Sequence, residues 1–228
     1  MAPLTADRPK SLVSVNGKPI LFKQIENLRK NGLADITVVA GYKAEVLRAA
    51  LEAEYPAIRY PDIRIVVNTA YATTNNMYSA YLARTALHGE PFLMLNADVF
   101  FDDSILTDLL AWPAENAIST DIGKYYEESM KVVAENGRLV RISKQISAAD
   151  ALGTSIDIYK FSAAGGQAFL SKCAEYIEDK RETNLWSEVA LNDILREVEF
   201  VACPVRGRWL EIDTLEDLRE AERLFADE

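Results

Sequence analysis

Histidine, cysteine and long apolar runs are scarce in this sequence, and each scarcity excludes a class of protein. The sequence has a single histidine, His88, so a histidine-rich zinc site cannot form. His88 directly precedes Gly89, which indicates the end of a helix and favours a structural role over one in a catalytic triad. The two cysteines, Cys173 and Cys203, show no metal-ligand spacing, which is typical of unpaired thiols in a reducing compartment. Because no apolar run is long enough to cross a bilayer and no secretory leader is recognisable, we expect a cytoplasmic protein.

Basic residues are also fewer than acidic residues. The 228 residues carry 25 Lys and Arg against 35 Asp and Glu, a formal net charge of −10. This balance argues against nucleic acid or an anionic membrane surface as the main partner. The composition says nothing about the oligomeric state.

The sequence does contain short apolar segments, typical of buried strands, that alternate with amphipathic segments typical of helices. Segments 35–41, 63–68 and 91–96 read as buried strands, and 42–55 and 76–89 read as helices between them. This alternation predicts βαβ units, and hence an α/β fold: a Rossmann-like three-layer α/β/α sandwich with a mixed, mainly parallel sheet. We expect one domain over residues 1–228, with two halves that meet near residue 110.

The second half is less regular. A hairpin is predicted around Asn136 and Gly137, because apolar residues alternate on both arms. A further strand is expected at 153–162. The last helix is expected to begin at Thr214, a good N-cap residue with Asp217 three positions later.

Two acidic residues stand where a parallel sheet places its ligands. Asp98 follows the strand at 91–96, and Asp213 follows the strand that ends in "RWLEI". Two such carboxylates are suited to Mg²⁺, which takes oxygen ligands from protein and phosphate together. Taken singly, Asp98 also fits an Asx-turn and Asp213 a helix start.

Lys10, in "RPKSLV", follows a proline and precedes a short apolar run. A lysine fixed in this way provides a cation for the phosphates of a nucleotide. A solvated surface lysine is the alternative.

Several longer stretches, taken together, resemble a known family. "PLTADRPKSLVSVNGKPIL", "NADVFFD" and "WLEIDTLEDLREAERLF" occur in an order that resembles the nucleoside-triphosphate transferase superfamily, which makes NDP-sugars and NDP-alcohols. "YATTNNMYSAYLA" looks like the phosphocholine cytidylyltransferase branch of that superfamily. The resemblance covers essentially the whole chain, and it implies the nucleotide-diphospho-sugar transferase type of fold.

The resemblance implies a Mg²⁺-dependent nucleotidyltransferase. Such an enzyme would move a cytidylyl group from CTP to a small phosphomonoester such as phosphocholine and release pyrophosphate. Asp98 and Asp213 match the metal-binding acids of the family. Lys10 matches the lysine that binds the nucleotide's phosphates, and Lys131 matches a catalytic lysine directed toward the acceptor's phosphate. The first half would bind the nucleotide and the second half the acceptor.

The substrate pockets also follow from the resemblance. Asn76 and Ser79 match the helix start that lines the base and ribose. In choline-specific members an aromatic cage surrounds the trimethylammonium group. The candidates for the cage and its counter-charge are Tyr125, Tyr126, Tyr159, Trp186 and Glu188. Core packing is the alternative reading of these aromatic residues, and the acceptor itself stays open.

One motif of the family is missing. Members begin with an apolar strand and a Gly-x-Gly-x-Arg loop, directly before the segment that starts here at Met1. We therefore expect the natural protein to begin upstream of Met1. A sugar-1-phosphate nucleotidyltransferase and a truncated, non-catalytic nucleotide-binding module stay open as alternatives. A glycosyltransferase is disfavoured, because Val99 and Phe100 follow Asp98 where an Asp-x-Asp motif would need its second acid.

Overall fold

The computed structural model describes residues 4–87 and 89–227. The interpretation of His88 therefore falls outside the described residues. The helices of the described chain, in order, are α1 (Ile20–Lys30), α2 (Ala44–Glu54), α3 (Asn76–Ala83), α4 (Ser104–Ala111), α5 (Ala163–Ala174), α6 (Ser187–Ile194) and α7 (Leu215–Leu224). The strands are β1 (Ser14–Val15), β2 (Lys18–Pro19), β3 (Ile36–Ala40), β4 (Ile63–Val67), β5 (Phe92–Leu95), β6 (Val99–Phe101), β7 (Ala117–Ile122), β8 (Lys131–Glu135), β9 (Arg138–Ser143), β10 (Gly153–Phe161), β11 (Val201–Pro204) and β12 (Trp209–Glu211).

The chain divides into two compact units, each assembled from separate segments. Unit 1 comprises residues 1–72, 96–107 and 207–228, and unit 2 comprises 73–95 and 108–206. The expectation of a single domain with halves that meet near residue 110 stays a prediction.

The described residues of unit 1 form three strand pairs. β3 and β4 are parallel, whereas β1–β2 and β6–β12 are antiparallel. α1 and α2 bury Leu21, Ile25 and Leu47 in one apolar cluster with β3. A second cluster packs α7 and Ile212 against Phe100, whose ring meets Phe225 edge-on at 4.8 Å.

A tight turn at Asn16 and Gly17 links the second cluster to the front of the chain. Both residues have positive φ, 48° and 86°, which suits the two-residue hairpin between β1 and β2. The side-chain amide of Asn16 donates to the carbonyls of Glu222 and Phe225, at 2.9 and 2.8 Å. The turn thereby satisfies carbonyls at the end of α7 that would otherwise lack donors.

Unit 2 is built on one mixed sheet with the strand order β11-β7-β10-β8-β9, and β5 also pairs with β10. β11 is parallel to β7, and the other pairs are antiparallel. α5 and α6 cover the sheet, and Phe169, Leu191 and Phe200 are fully buried in its main core. The predicted α/β fold with a mixed sheet is confirmed.

No helix within residues 4–87 and 89–227 has both the length and the apolar character that crossing a membrane requires. Both cysteines are buried, and burial raises the pKa of the Cys173 thiol to about 12 and that of Cys203 to about 11. Such thiols are protonated and inert at neutral pH.

Candidate active site

Three carboxylates of unit 1 form an acidic cluster, Asp98, Glu211 and Asp213. One oxygen of each lies within 4.8 Å of the others. The pairing of β6 with β12 brings them together, because Glu211 lies opposite Val99 and the N–H of Ile212 donates to the Asp98 carbonyl at 2.9 Å. Asp98 is thereby placed beside two acids that are far from it in sequence.

Lys10 is the cation of this cluster. Its ammonium donates to Asp98 Oδ2 at 2.9 Å and also to Asp213. The short turn at Lys10–Leu12, where the Val13 N–H donates to the Lys10 carbonyl at 2.9 Å, fixes the backbone from which the side chain reaches out. Burial alone would lower the pKa of Lys10, but the Asp98 and Asp213 carboxylates outweigh burial and raise it. Lys10 therefore stays charged at neutral pH.

The donor set of the acidic cluster fits a hard divalent cation. Carboxylate oxygens are the protein ligands that Mg²⁺ prefers. Asp98 Oδ1 is buried and has no hydrogen-bond partner within the described part of the chain. A buried carboxylate oxygen without a donor is costly, so this atom is well placed to be a metal ligand.

The start of α7 holds Asp213 in position. Thr214 accepts from the Asp217 N–H at 3.1 Å, and the Asp217 carboxylate accepts from the backbone N–H groups of Asp213 and Thr214 at 2.9 and 2.7 Å. This is the capping box that the sequence predicts. It fixes the backbone of Asp213 while leaving its carboxylate for Lys10 and a cation.

Glu211 is the member of the acidic cluster that sequence reasoning missed. The spacing of the two acids could have indicated it, because Glu211 and Asp213 are two residues apart on an extended segment and therefore lie on the same face. Asp102, the next acid after Asp98 in the sequence, has a structural role. Its carboxylate accepts two guanidinium bonds from Arg208, at 3.1 and 2.9 Å.

A cavity of about 470 Å³ opens beside Lys10 and Asp213 in unit 1. Its lining includes the carboxyl end of β3, the residues around Lys10, and the segment at Thr5. Tyr42, also in the lining, donates from its hydroxyl to the Ala6 carbonyl at 2.8 Å and so holds that segment in place. The volume lies in the range of small-molecule sites.

Lys131, the second predicted lysine, belongs to unit 2. It is fully buried in β8, donates to the Glu127 carbonyl at 2.7 Å and lies 4.9 Å from the centre of the Tyr125 ring. Burial lowers the pKa of Lys131, Glu127 partly opposes that effect, and Lys144 reinforces it. Lys144 is a residue that sequence reasoning missed, and its ammonium lies 5.0 Å from the centre of the Trp186 ring.

The remaining predicted pocket residues are also in unit 2, in different environments. Tyr126, like Tyr125 and Trp186, is exposed, whereas Tyr159 is fully buried. The Tyr159 hydroxyl lies 2.8 Å from one oxygen of Asp157 and 2.8 Å from one oxygen of Glu188. Asp157 was missed, although an acid between two isoleucines in an apolar strand is a usable signal.

The residues predicted to line the base and ribose lie on α3. Asn76 accepts the backbone N–H of Ser187 at 2.8 Å through its side-chain oxygen, which links the start of α3 to the start of α6. Ser79 is half-buried on the same helix. Their roles toward a nucleotide stay predictions.

Comparison with known proteins places this geometry in a family context. Residues 5–150 match the MobA-like NTP transferase domain. Choline-phosphate cytidylyltransferase of Streptococcus pneumoniae is 28% identical over 236 residues, covering 100% of this chain and 94% of the relative. CTP:phosphoglutamine cytidylyltransferase of Campylobacter jejuni is 24% identical over 244 residues, with 96% and 92% covered. 2-Aminoethylphosphonate cytidylyltransferase of Lancefieldella rimae is 28% identical over 224 residues, with 96% and 85% covered.

Solved structures show the same fold. The CTP:phosphocholine cytidylyltransferase of Streptococcus pneumoniae superimposes with a TM-score of 0.76 at 24% identity, over 98% of this chain and 92% of the other. The inositol-1-phosphate CTP transferase of T. maritima gives a TM-score of 0.79 at 17% identity, over 98% and 88%. These likenesses confirm the predicted type of fold.

Proposed function

Because the chain belongs to the MobA-like NTP transferase domain family, we propose that it transfers a cytidylyl group from CTP to a small acceptor that carries a phosphate or phosphonate group. The observation that carries the proposal is the acidic cluster with Lys10 held against two of its members. The cytidylyltransferase relatives support CTP as the nucleotide and phosphorylated small molecules as the acceptor class.

In the proposed reaction an acceptor oxygen attacks the α-phosphorus of CTP, and pyrophosphate leaves. A phosphate or phosphonate oxygen is already ionised near neutral pH, so the reaction needs no strong general base. Bringing two polyanions together is the main electrostatic obstacle, and positioned cations reduce it.

The residues of unit 1 serve the nucleotide in this proposal. Lys10, which carries a full positive charge, neutralises a phosphate of CTP. Asp98, Glu211 and Asp213 would hold Mg²⁺, which when bound neutralises further phosphate charge and favours the leaving pyrophosphate. The cavity beside Lys10 provides room for part of the nucleotide.

The residues of unit 2 serve the acceptor. The charge of Lys144 contributes to the lowered pKa of Lys131, and in this proposal the two lysines act together as a cationic pair. A doubly charged phosphate relieves the repulsion between two ammonium groups. We therefore assign the acceptor's phosphate to this pair.

The experiment has two readouts. Thermal unfolding is followed with Mg²⁺ and each of CTP, ATP, GTP and UTP, and pyrophosphate release is followed with CTP and a panel of phosphorylated acceptors. We expect CTP to raise the melting temperature most and to support acceptor-dependent release. Equal stabilisation by all four nucleotides would contradict the assignment of CTP. Stabilisation without release from any acceptor would favour a non-catalytic nucleotide-binding module.

A further inference from the structure

Asp157, Tyr159 and Glu188 form a buried carboxylate cluster inside unit 2. Their exposed fractions are 8%, 0% and 3%. The Tyr159 hydroxyl lies between the two acids, 2.8 Å from Asp157 Oδ1 and 2.8 Å from Glu188 Oε1. Burial, with the charges of both acids, raises the pKa of Tyr159 well above its ordinary value, so its hydroxyl keeps its proton.

The Glu188 carboxylate has fewer hydrogen-bond donors around it than its two oxygens can accept. A phenol has one proton and can donate it to only one of two carboxylates at a time. Glu188 Oε2, on the far side of the same carboxylate, is buried and has no hydrogen-bond partner in residues 4–87 and 89–227. A buried carboxylate oxygen without a donor is strongly unfavourable, which points to a donor that comes with a ligand.

The neighbouring aromatic rings are poorly disposed to form a cage for a quaternary ammonium. The Tyr125 ring already faces the Lys131 ammonium at 4.9 Å, and the Trp186 ring faces Lys144 at 5.0 Å. The Tyr159 ring is fully buried and packs near Phe161, with ring centres 6.5 Å apart. A trimethylammonium group has no N–H to offer Glu188 and relies on free ring faces.

Trp186 connects the cationic pair to the buried carboxylate cluster. It is the N-cap residue of α6, two positions before Glu188, and Lys144 lies against its ring. Lys144 therefore lies against the N-cap of the helix whose second residue is Glu188.

We infer that the buried carboxylate cluster binds an ammonium group that bears N–H protons, and that the acceptor is a phosphorylated or phosphonylated amine rather than phosphocholine. This inference rests on the proposed function and specifies its acceptor. A primary ammonium offers three donors, enough to satisfy Glu188 Oε2 and to share the remaining carboxylate oxygens with Tyr159.

The test uses a graded series of acceptors: O-phosphoethanolamine and its N-methyl, N,N-dimethyl and N,N,N-trimethyl derivatives, the last being phosphocholine. Pyrophosphate release from CTP is measured with each. We expect kcat/KM to fall with each methyl group, by roughly tenfold or more across the series, because each methyl removes a donor from buried acceptors. A value for phosphocholine equal to or above that for O-phosphoethanolamine overturns the inference.

Variants of Glu188 and Asp157 test whether the preference for the unmethylated acceptor depends on the buried carboxylate cluster. Glu188→Gln keeps the side-chain size but removes the charge, and we expect it to abolish the preference for the unmethylated acceptor. Asp157→Asn tests the second acid and serves in place of the first variant if that one does not fold. Glu135→Gln, an exposed acid on β8 of the same unit, is the matched control and should keep the preference. Retention of the full preference in both cluster variants overturns the inference.

Failure of the inference differs from failure of the proposed function. Release with a sugar phosphate, but with none of the four derivatives, overturns the inference and leaves cytidylyl transfer intact. Absence of release with every acceptor overturns both.

Discussion

Replacing Lys10 by methionine should change metal binding and turnover in opposite directions. The Lys10 ammonium lies 2.9 Å from Asp98 Oδ2 and also contacts Asp213, so it competes with a metal for the same carboxylates. A Mg²⁺ ligated by Asp98 at about 2.1 Å would lie roughly 4–5 Å from that ammonium. Removing the ammonium should therefore strengthen metal binding by the free protein.

The magnitude follows from Coulomb's law. The side chains of Lys10, Asp98 and Asp213 are 28%, 25% and 58% exposed, so screening by bulk water sets the lower bound of the repulsion. Charges of +2 and +1 at about 4.5 Å then repel by about 2 kcal/mol. This corresponds to roughly 20- to 30-fold tighter Mg²⁺ binding in Lys10→Met. Turnover should fall on the order of 10- to 100-fold, because a charge-assisted hydrogen bond to phosphate is lost.

Isothermal titration of the nucleotide-free protein with Mg²⁺ measures the first effect, and pyrophosphate release measures the second. Lys18→Met is the matched control, since Lys18 is an exposed lysine of the same segment that pairs with Glu26 at 2.9 Å. It should leave both quantities unchanged. Metal affinity that stays constant or falls in Lys10→Met would refute the idea that Lys10 and the metal share carboxylates.

Three further predictions concern other parts of the two units. Asp98→Ala and Asp213→Ala should each reduce pyrophosphate release to below about a tenth, a loss of more than ~1.4 kcal/mol in transition-state stabilisation. Because burial lowers the pKa of Lys131, kcat/KM for the acceptor should fall as pH rises through a value below that of an ordinary lysine, and Lys131→Arg should lack this alkaline limb. Asp102→Asn should lower the free energy of unfolding by about 1–3 kcal/mol, because it weakens the charge-assisted bonds from Arg208.

If the alanine variant of Asp98 or Asp213 keeps most of the rate of pyrophosphate release, that residue is not a metal ligand. An alkaline limb that persists in Lys131→Arg belongs to another group. An unchanged urea midpoint in Asp102→Asn would mean that water replaces the lost bonds at no cost.

The sequence predicts much of the fold, because local patterns determine it. The capping box at Thr214 and the hairpin at Asn136 are both present as expected. β7 was missed, since Ser119, Thr120 and Asp121 interrupt its apolar run. Within the strand the Thr120 hydroxyl donates to the Ile118 carbonyl at 2.9 Å, which is how a polar residue is accommodated in a buried strand.

The candidate site was predictable only in part. Positions after strands pointed to Asp98 and Asp213, and the proline before Lys10 pointed to that lysine. No local pattern states that Lys10 contacts both acids, one 88 and the other 203 residues away. Similarly, the donor shortage at Glu188 depends on the neighbours that folding brings to it, and a sequence does not reveal which hydrogen bonds stay unmade.

The segmented layout of unit 1 has a consequence for the order of folding. Its three segments include residues 1–72 at one end of the chain and 207–228 at the other. During synthesis the front segment leaves the ribosome long before β12 and α7 exist, so β6 has no antiparallel partner and Lys10 no Asp213. Pairings between distant segments carry a large loop-closure cost and form slowly.

Unit 2, whose main segment 108–206 is continuous, can complete its β8–β9 hairpin locally and early. The acidic cluster can therefore be assembled only after β12 and Asp213 have been made.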